Sequence, residues 1–534
     1  MKKIHPLLLS VTSGVLLWAS WPVSPLTFLV FTGFVPLLWL ENQGTGSRRF
    51  FYAVFLAMLL WNMGTTWWVC HASLPGGIVA MLFSSAFMSL PWLGYYFIKK
   101  RLGEKWGLMA LVVFWLSFEY TYLNIQLSWP WLTLGNVFAL HPEWVQWYEY
   151  TGSSGGSLWV LLVNVFIYRM LSNLKARVRA AQNKALWLTS IALVIPLSLS
   201  YLLSAAISRT FDAGGEVVVV QPNIDPYEKF NASSQYQQLQ QLISLSESKI
   251  SSTTTLVVWP ETALSGASGF NEENIKAYPA LEPLWQFLVR NPGISLFTGI
   301  EGYKIYNEEN KTSTARKMSG SSQYFDVFNS AIILDSGSDS LIFYHKSKLV
   351  PGVETLPTYL KIFDKWFEQF GGTSGGYAGQ EERTVLTDQR KAFKIAPAIC
   401  YESVYGEFLT AYMRNGANVI AIITNDGWWQ NTGGYRQHMQ YARLRAVETR
   451  RWVIRSANTG ISCFIDPYGK VADPQPWDTA AAIRMRIPTT SYLTFFVRHG
   501  DIISKISVCT AGILLLWGIA SRKRKHGAKQ EHHL

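Results

Sequence analysis

Phe393-Lys394-Ile395-Ala396-Pro397-Ala398-Ile399-Cys400-Tyr401-Glu402 reads as a short apolar β-run that stops on a thiol. Runs of the same kind, rich in valine, isoleucine and aromatic residues, recur at 216–221, 255–259, 294–299, 330–334, 418–424, 453–456 and 461–465. Helical patterns lie between them, as at 233–249 and 437–451. Strands alternating with helices over residues 212–500 predict an enzyme domain of the α/β or layered α+β kind. A polar stretch at 303–324 and a glycine-rich one at 370–381 read as loops.

Outside that segment the texture changes. The chain of 534 residues is 49% hydrophobic, 14% aromatic and only 15% charged, which suits a membrane protein with a sizeable water-soluble part. Apolar runs span 6–21, 26–40, 50–69, 78–98, 106–122, 155–168 and 185–207, with an eighth at 506–520. A helix needs about 20 apolar residues to span, so the shorter runs need flanking residues or a thinned bilayer. No small-residue cleavage site follows Lys2 and Lys3, so the first run reads as a retained helix. The net charge of +12 could suggest nucleic acid. The basic residues instead cluster in every second connection: Lys2/Lys3, Arg48/Arg49, Lys99 to Lys105, Arg169 to Lys184, and Arg522 to Lys525. Such alternation sets topology rather than a phosphate groove. It predicts eight transmembrane helices, both termini cytoplasmic, and the segment 212–500 on the outer side. The expected domains are a seven-helix membrane domain (1–211), the catalytic domain (212–500), and a closing helix with a basic tail (501–534).

Three short motifs carry chemistry. Val258-Trp259-Pro260-Glu261-Thr262 ends a β-run on a carboxylate. Tyr344-His345-Lys346-Ser347-Lys348-Leu349-Val350-Pro351 supplies lysines, with Glu354 close behind, and the third motif presents Cys400. The other cysteines (Cys70, Cys463 and Cys509) lie in apolar or strand-like runs, and their spacing fits neither a disulfide framework nor zinc. A free thiol, with a pKa of about 8.5, is only a few per cent ionised at neutral pH. A carboxylate within reach can take its proton, and an ammonium can stabilise the oxyanion by on the order of 3 kcal/mol. Lys348, two residues on, competes with Lys346 for that role.

These motifs resemble those of the carbon–nitrogen hydrolase (nitrilase) superfamily, and the chain over nearly its full length resembles the bacterial apolipoprotein N-acyltransferases. The resemblance implies an αββα sandwich, with Glu261 as general base, Lys346 as oxyanion-stabilising lysine and Cys400 as nucleophile. It places Glu354, Tyr401, Glu402, Trp428, Trp429 and Phe230 around substrate or in support of the triad. Val220-Gln221-Pro222-Asn223-Ile224, Thr424-Asn425-Asp426-Gly427-Trp428 and Ser456-Ala457-Asn458-Thr459-Gly460 also match. Phe230 stands where many members carry tryptophan, and Pro351-Gly352-Val353-Glu354 replaces Pro-Phe-Gly-Glu.

The resemblance further implies a multi-pass enzyme of the bacterial inner membrane, working as a monomer on the periplasmic side. It would move an acyl chain from a phospholipid, phosphatidylethanolamine by resemblance, through a cysteine thioester to the amino terminus of a diacylglyceryl-modified apolipoprotein. Drawing a 16-carbon chain into water costs roughly 12 kcal/mol, which explains why such an enzyme would sit in the bilayer. A membrane-tethered amidohydrolase, with water as acceptor, would use the same three residues. A transporter would need charged residues within its spans, where only Glu119 stands out. His438 reads as a structural histidine. No nucleotide, flavin or metal motif is evident, so neither cofactor nor metal is expected.

Overall fold

The computed structural model describes residues 4–206, 211–229, 234–266, 269–337, 341–356 and 376–530, the last nine as backbone alone. Phe230, Lys2, Lys3 and the first half of the glycine-rich stretch, 370–375, lie outside the described residues. The chain forms two compact units: Met1–Trp67, Pro75–Ala206 and His499–Leu534 make one; Trp68–Leu74 and Ile207–Arg498 make the other.

In the first unit six helices are long and apolar enough to cross a membrane: Ser47–His71, Leu74–Leu102, Glu104–Asn124, Ser153–Lys175, Arg179–Ala205 and Ile502–Ser521. The first two apolar runs form shorter helices, Pro6–Ala19 and Thr27–Asn42. The second of these is a 3-10 turn, Thr27–Thr32, followed by an α-helix, Val35–Asn42. A buried break between two helices must find partners for its freed backbone groups inside the protein. Asn164 supplies them, donating from Nδ2 to Val30 O at 2.9 Å and accepting from Phe34 N at 2.8 Å. Aromatic rings fill the interior, with Phe34 against Trp92 (5.1 Å) and Trp115 (4.7 Å). Trp187, Tyr201, Ile513 and Leu516 stay exposed, as an apolar surface facing lipid requires. Glu119 is buried, accepting from Trp115 Nε1 (2.8 Å) and Leu134 N (2.7 Å). It ties a helix to the connection that follows it.

The second unit is built on two sheets. The first contains β1 (Asp212–Gln221), β2 (Thr254–Val258), β3 (Phe270–Asn271), β4 (Ser295–Tyr306), β5 (Arg316–Lys317), β6 (Tyr324–Leu334), β7 (Phe343–His345) and, last in the chain, β14 (Ala481–Thr489). Its main order is β14-β1-β2-β4-β6-β5, with β3 on β4 and β7 on β6. The second runs β13-β12-β11-β10-β9-β8, from β8 (Leu386–Thr387), β9 (Lys394–Ile399), β10 (Val419–Thr424), β11 (Val453–Ala457), β12 (Cys463–Ile465) and β13 (Val471–Ala472). The central strands are parallel: β1 with β2, β2 with β4, β9 with β10, and β10 with β11. Strands covered on both faces read as continuous apolar runs. Val217 to Val220 and Val419 to Ile423 are fully buried accordingly.

The sheets face each other, with Ser456 Oγ donating to Val220 O at 2.8 Å. Helices Gln235–Glu247 and Glu282–Arg290 cover the first sheet, packing Leu239, Leu242, Leu284 and Phe287 onto Val218, Val257 and Leu296. Helices Gly406–Arg414 and Gly433–Thr449 cover the second. The result is the helix–sheet–sheet–helix sandwich expected of a nitrilase-like domain. One expectation needs correcting. The polar stretch 303–324 is a loop only in its middle, because Tyr303 to Tyr306 pair with Val327 to Tyr324. Aromatic residues on the β6 side hold the hairpin end, where Arg316 lies over Phe325 (4.8 Å).

Candidate active site

Parallel strands gather chemistry at their carboxyl ends; three such ends, those of β2, β9 and β10, are used here together with the end of antiparallel β7. Glu261 lies three residues past β2, and Lys346 directly follows β7. Cys400 directly follows β9, and Asn425 follows β10. Glu261 Oε1 accepts from Lys346 Nζ (3.1 Å) and Asn329 Nδ2 (2.8 Å), and Oε2 accepts from Asn425 N (3.1 Å). Lys346 Nζ also donates to Glu354 Oε1 at 2.7 Å, and Glu354 Oε2 accepts from Val350 N at 2.8 Å. Lys346 is fully buried. Burial alone would strip its proton, but the carboxylates of Glu261 and Glu354 outweigh that and hold its pKa well above the usual value. Lys348 points elsewhere, its Nζ lying over the Tyr405 ring at 5.1 Å. Of the two lysines, Lys346 is the one hydrogen-bonded to Glu261 and Glu354.

The thiol of Cys400 is pushed up by burial and then by the Glu261 carboxylate, while Lys346 pulls it the other way. A protonated thiol beside a carboxylate needs its proton removed as it attacks. The backbone of Cys400 is left-handed, with φ at 50°, and so is that of Thr262 next to Glu261, at 46°. Such conformations cost on the order of 1–3 kcal/mol outside glycine and persist only where surroundings impose them. Around Cys400 those surroundings are explicit. Its carbonyl accepts from Ser403 Oγ (2.7 Å) and meets His438 Nε2 (3.1 Å). Glu402 Oε2 accepts from Ile399 N (2.8 Å), and its Oε1 accepts from Tyr344 OH (2.6 Å), Ser347 N (2.7 Å) and Lys348 N (3.1 Å). Glu402 thereby pins the loop after Lys346 to the turn bearing the thiol; burial raises its pKa against the pull of those donors.

Of the remaining expected residues, Tyr401 is buried with its ring 5.2 Å from Tyr405. Trp428 meets Tyr227 edge-on at 5.4 Å. Trp429 lies between Trp68 (4.7 Å) and His438 (5.5 Å). His438 is buried and bonded as a structural histidine would be, with Nδ1 2.9 Å from Asp426 Oδ1. Asp426 is held down to about 2, since Arg455 and His438 override the effect of burial. Two residues went unnoticed in the sequence. Asn329 donates to Glu261 and, at 3.3 Å, to Glu354; its only signal was an amide opening the β-run at 330. Lys229 is buried and donates to Glu261 O at 2.5 Å, and nothing in its local sequence marks it. Among the described residues no group of three His, Cys, Asp or Glu side chains could hold a metal ion.

Comparison with known proteins identifies the family. Residues 216–489 match the carbon-nitrogen hydrolase family, and residues 13–166 match the apolipoprotein N-acyltransferase N-terminal domain. An apolipoprotein N-acyltransferase of Chlorobaculum tepidum is 30% identical over 97% of this chain and 97% of its own. One from Geobacter metallireducens is 26% identical over 97% and 95%. Among solved structures, a nitrilase-superfamily protein of Saccharomyces cerevisiae aligns with 53% of this chain and 92% of its own, at 17% identity and a TM-score of 0.35. The chain belongs to the apolipoprotein N-acyltransferase family. It is an N-acyltransferase whose catalytic unit has the carbon–nitrogen hydrolase fold.

Proposed function

We propose that the enzyme transfers an acyl chain from a phospholipid to the amino terminus of a diacylglyceryl-modified apolipoprotein, with Glu261, Lys346 and Cys400 as its catalytic residues. In the first half-reaction Glu261 takes the Cys400 proton as sulfur attacks the ester carbonyl. The oxyanion forms beside the Lys346 ammonium. Collapse breaks the ester bond, and the proton leaves with the lysophospholipid hydroxyl. In the second half-reaction the acceptor amine attacks the thioester and Glu261 takes its proton. The carbon–sulfur bond breaks, Cys400 is reprotonated, and the amide product departs. Water must be kept from the thioester, which an apolar setting favours. Phosphatidylethanolamine is the proposed donor, and Tyr401, Trp428, Trp429 and Phe230 are the proposed substrate contacts. We further propose eight membrane crossings, cytoplasmic termini, residues 212–500 on the periplasmic side of the inner membrane, and a monomer.

The observation that carries this reading is the hydrogen-bonded set Glu261–Lys346–Glu354 beside a thiol held at a left-handed strand end. Intact-protein mass after incubation with phosphatidylethanolamine tests it: wild type should gain one acyl group and lose it on adding a diacylated lipopeptide. N-acylated lipopeptide made by Cys400→Ala protein would refute it. Free fatty acid as the only product would assign the site to hydrolysis instead.

A further inference from the structure

The segment Trp68–Leu74 lies in the chain between helix Ser47–Thr66 and the end of the next connection, yet it folds as part of the catalytic unit. Trp68 is 1% exposed. Its indole meets Trp429 at 4.7 Å and 59°, and Trp429 meets the His438 ring edge-on at 5.5 Å and 77°. His438 in turn has Nδ1 on Asp426 Oδ1 (2.9 Å) and Nε2 on Ser403 Oγ (2.8 Å) and the Cys400 carbonyl (3.1 Å). One line of contacts therefore runs from a tryptophan near the start of the chain to the main chain of the proposed nucleophile.

We infer that Trp68 and His438 are positioning residues for the acylation step: Trp68 backs Trp429, Trp429 fixes the His438 ring, and His438 holds the Cys400 carbonyl so that the left-handed turn aims the thiol. The inference rests on the reading of Cys400 as nucleophile. Each link has a reason to depend on the next. The turn at Cys400 is strained and relaxes unless its carbonyl is held. An imidazole directs a hydrogen bond only while its ring plane is fixed, and here one nitrogen is fixed by Asp426 and the ring face by Trp429. Trp429 is itself part-exposed at the end of a short 3-10 turn, Asp426–Trp429, so its orientation needs a wall. Trp68 is that wall, and the site has been kept open for it. Gly434, in the first turn of the helix that carries His438, would bring an added Cβ within 2.6 Å of the Trp68 ring.

The test uses full-length protein in phosphatidylethanolamine vesicles, following acyl-Cys400 formation by intact mass against lipid concentration. Trp68→Ala and Gly434→Ala should each lower kcat for acylation by about ten- to a hundredfold, the scale of an ångström's misplacement of a reacting group. The loss should fall on kcat, with KM for the phospholipid moving only as far as Trp429, itself a proposed substrate contact, is displaced. Trp68→Phe should restore most of the rate, and His438→Gln, which keeps a donor near the carbonyl, should exceed His438→Ala. Folded Trp68→Ala or Gly434→Ala protein acylating at the wild-type rate would overturn the proposal, as would a loss seen only in KM. If Trp68→Ala does not fold, Gly434→Ala decides by the same criteria. Cys400→Ala, run alongside, separates the two levels. Product formed without the thiol sinks the nucleophile assignment itself, whereas its absence, with Trp68→Ala at full rate, sinks only this one.

Discussion

Lys229 shows how far a single buried charge can be read. Burial drives its pKa down to about 8, with Glu261 and Glu301 only partly opposing. An unfolded lysine keeps its proton to about 10.4. Between those values the unfolded chain binds more protons than the folded one, so stability rises with pH across that window. Below pH 8 the folded state carries the full cost of a desolvated ammonium. Lys229→Met removes the titration, so its melting temperature, relative to wild type, should be most favourable near pH 7 and lose that advantage by pH 10. Thermal unfolding at four pH values would check this; a constant difference would mean Lys229 titrates normally. Glu354 gives a complementary case on the catalytic side. Glu354→Gln keeps a hydrogen-bond acceptor for Lys346 but removes a charge, and should lower acylation less than Glu354→Ala, which leaves part of a buried ammonium unpaired at a cost of several kcal/mol. Equal rates for the two variants would show that Glu354 acts by neither route.

Elements, rather than residues, decide where Glu261 points. Gly299 in β4 lies under the turn that presents it, and an added Cβ there would sit 2.4 Å from Thr262 N and 2.7 Å from Glu261 Cα. Both are main-chain atoms that cannot swing aside, so Gly299→Ala should displace the turn. We expect a loss of about a hundredfold in acylation with circular dichroism unchanged. Wild-type turnover would mean the turn tolerates the shift. This arrangement also explains what the sequence could and could not disclose. The ends of β2 and β9 were legible because buried parallel strands are continuous apolar runs, and each stops on a reactive side chain. Asn329 was not, since it reaches Glu261 only through the antiparallel register of β4 and β6, which sets Asn329 opposite Glu301. Tyr303 to Tyr306 read as loop because their pairing partners, not their composition, make them strand. The same limit applies to the run at 26–40: its division into Thr27–Thr32 and Val35–Asn42 depends on Asn164, 130 residues further on.

At the scale of the molecule, the pair Pro6–Ala19 and Thr27–Asn42 sets the number of crossings, eight where both cross the bilayer and six where neither does. Length argues against crossing. Fourteen residues of α-helix rise only about 21 Å, short of the roughly 30 Å of a hydrocarbon core. Asn164 argues for it, more strongly. It stands midway along Ser153–Lys175, itself long enough to span, and it hydrogen-bonds Val30 O and Phe34 N. The break between the 3-10 turn and the α-helix therefore lies level with the middle of a spanning helix. We therefore propose that this segment, with its freed backbone groups satisfied by a buried amide, passes through the membrane. Ser24, in the connection between the pair, is then expected on the same outer side as Asn124, with Gly44 opposite. In a chain carrying no other cysteines, Ser24→Cys and Asn124→Cys should react with a membrane-impermeant maleimide on intact cells, and Gly44→Cys only after permeabilisation. Should Ser24→Cys label only after permeabilisation while Asn124→Cys labels freely, the first two helices would form a hairpin that enters and returns, and six crossings would stand.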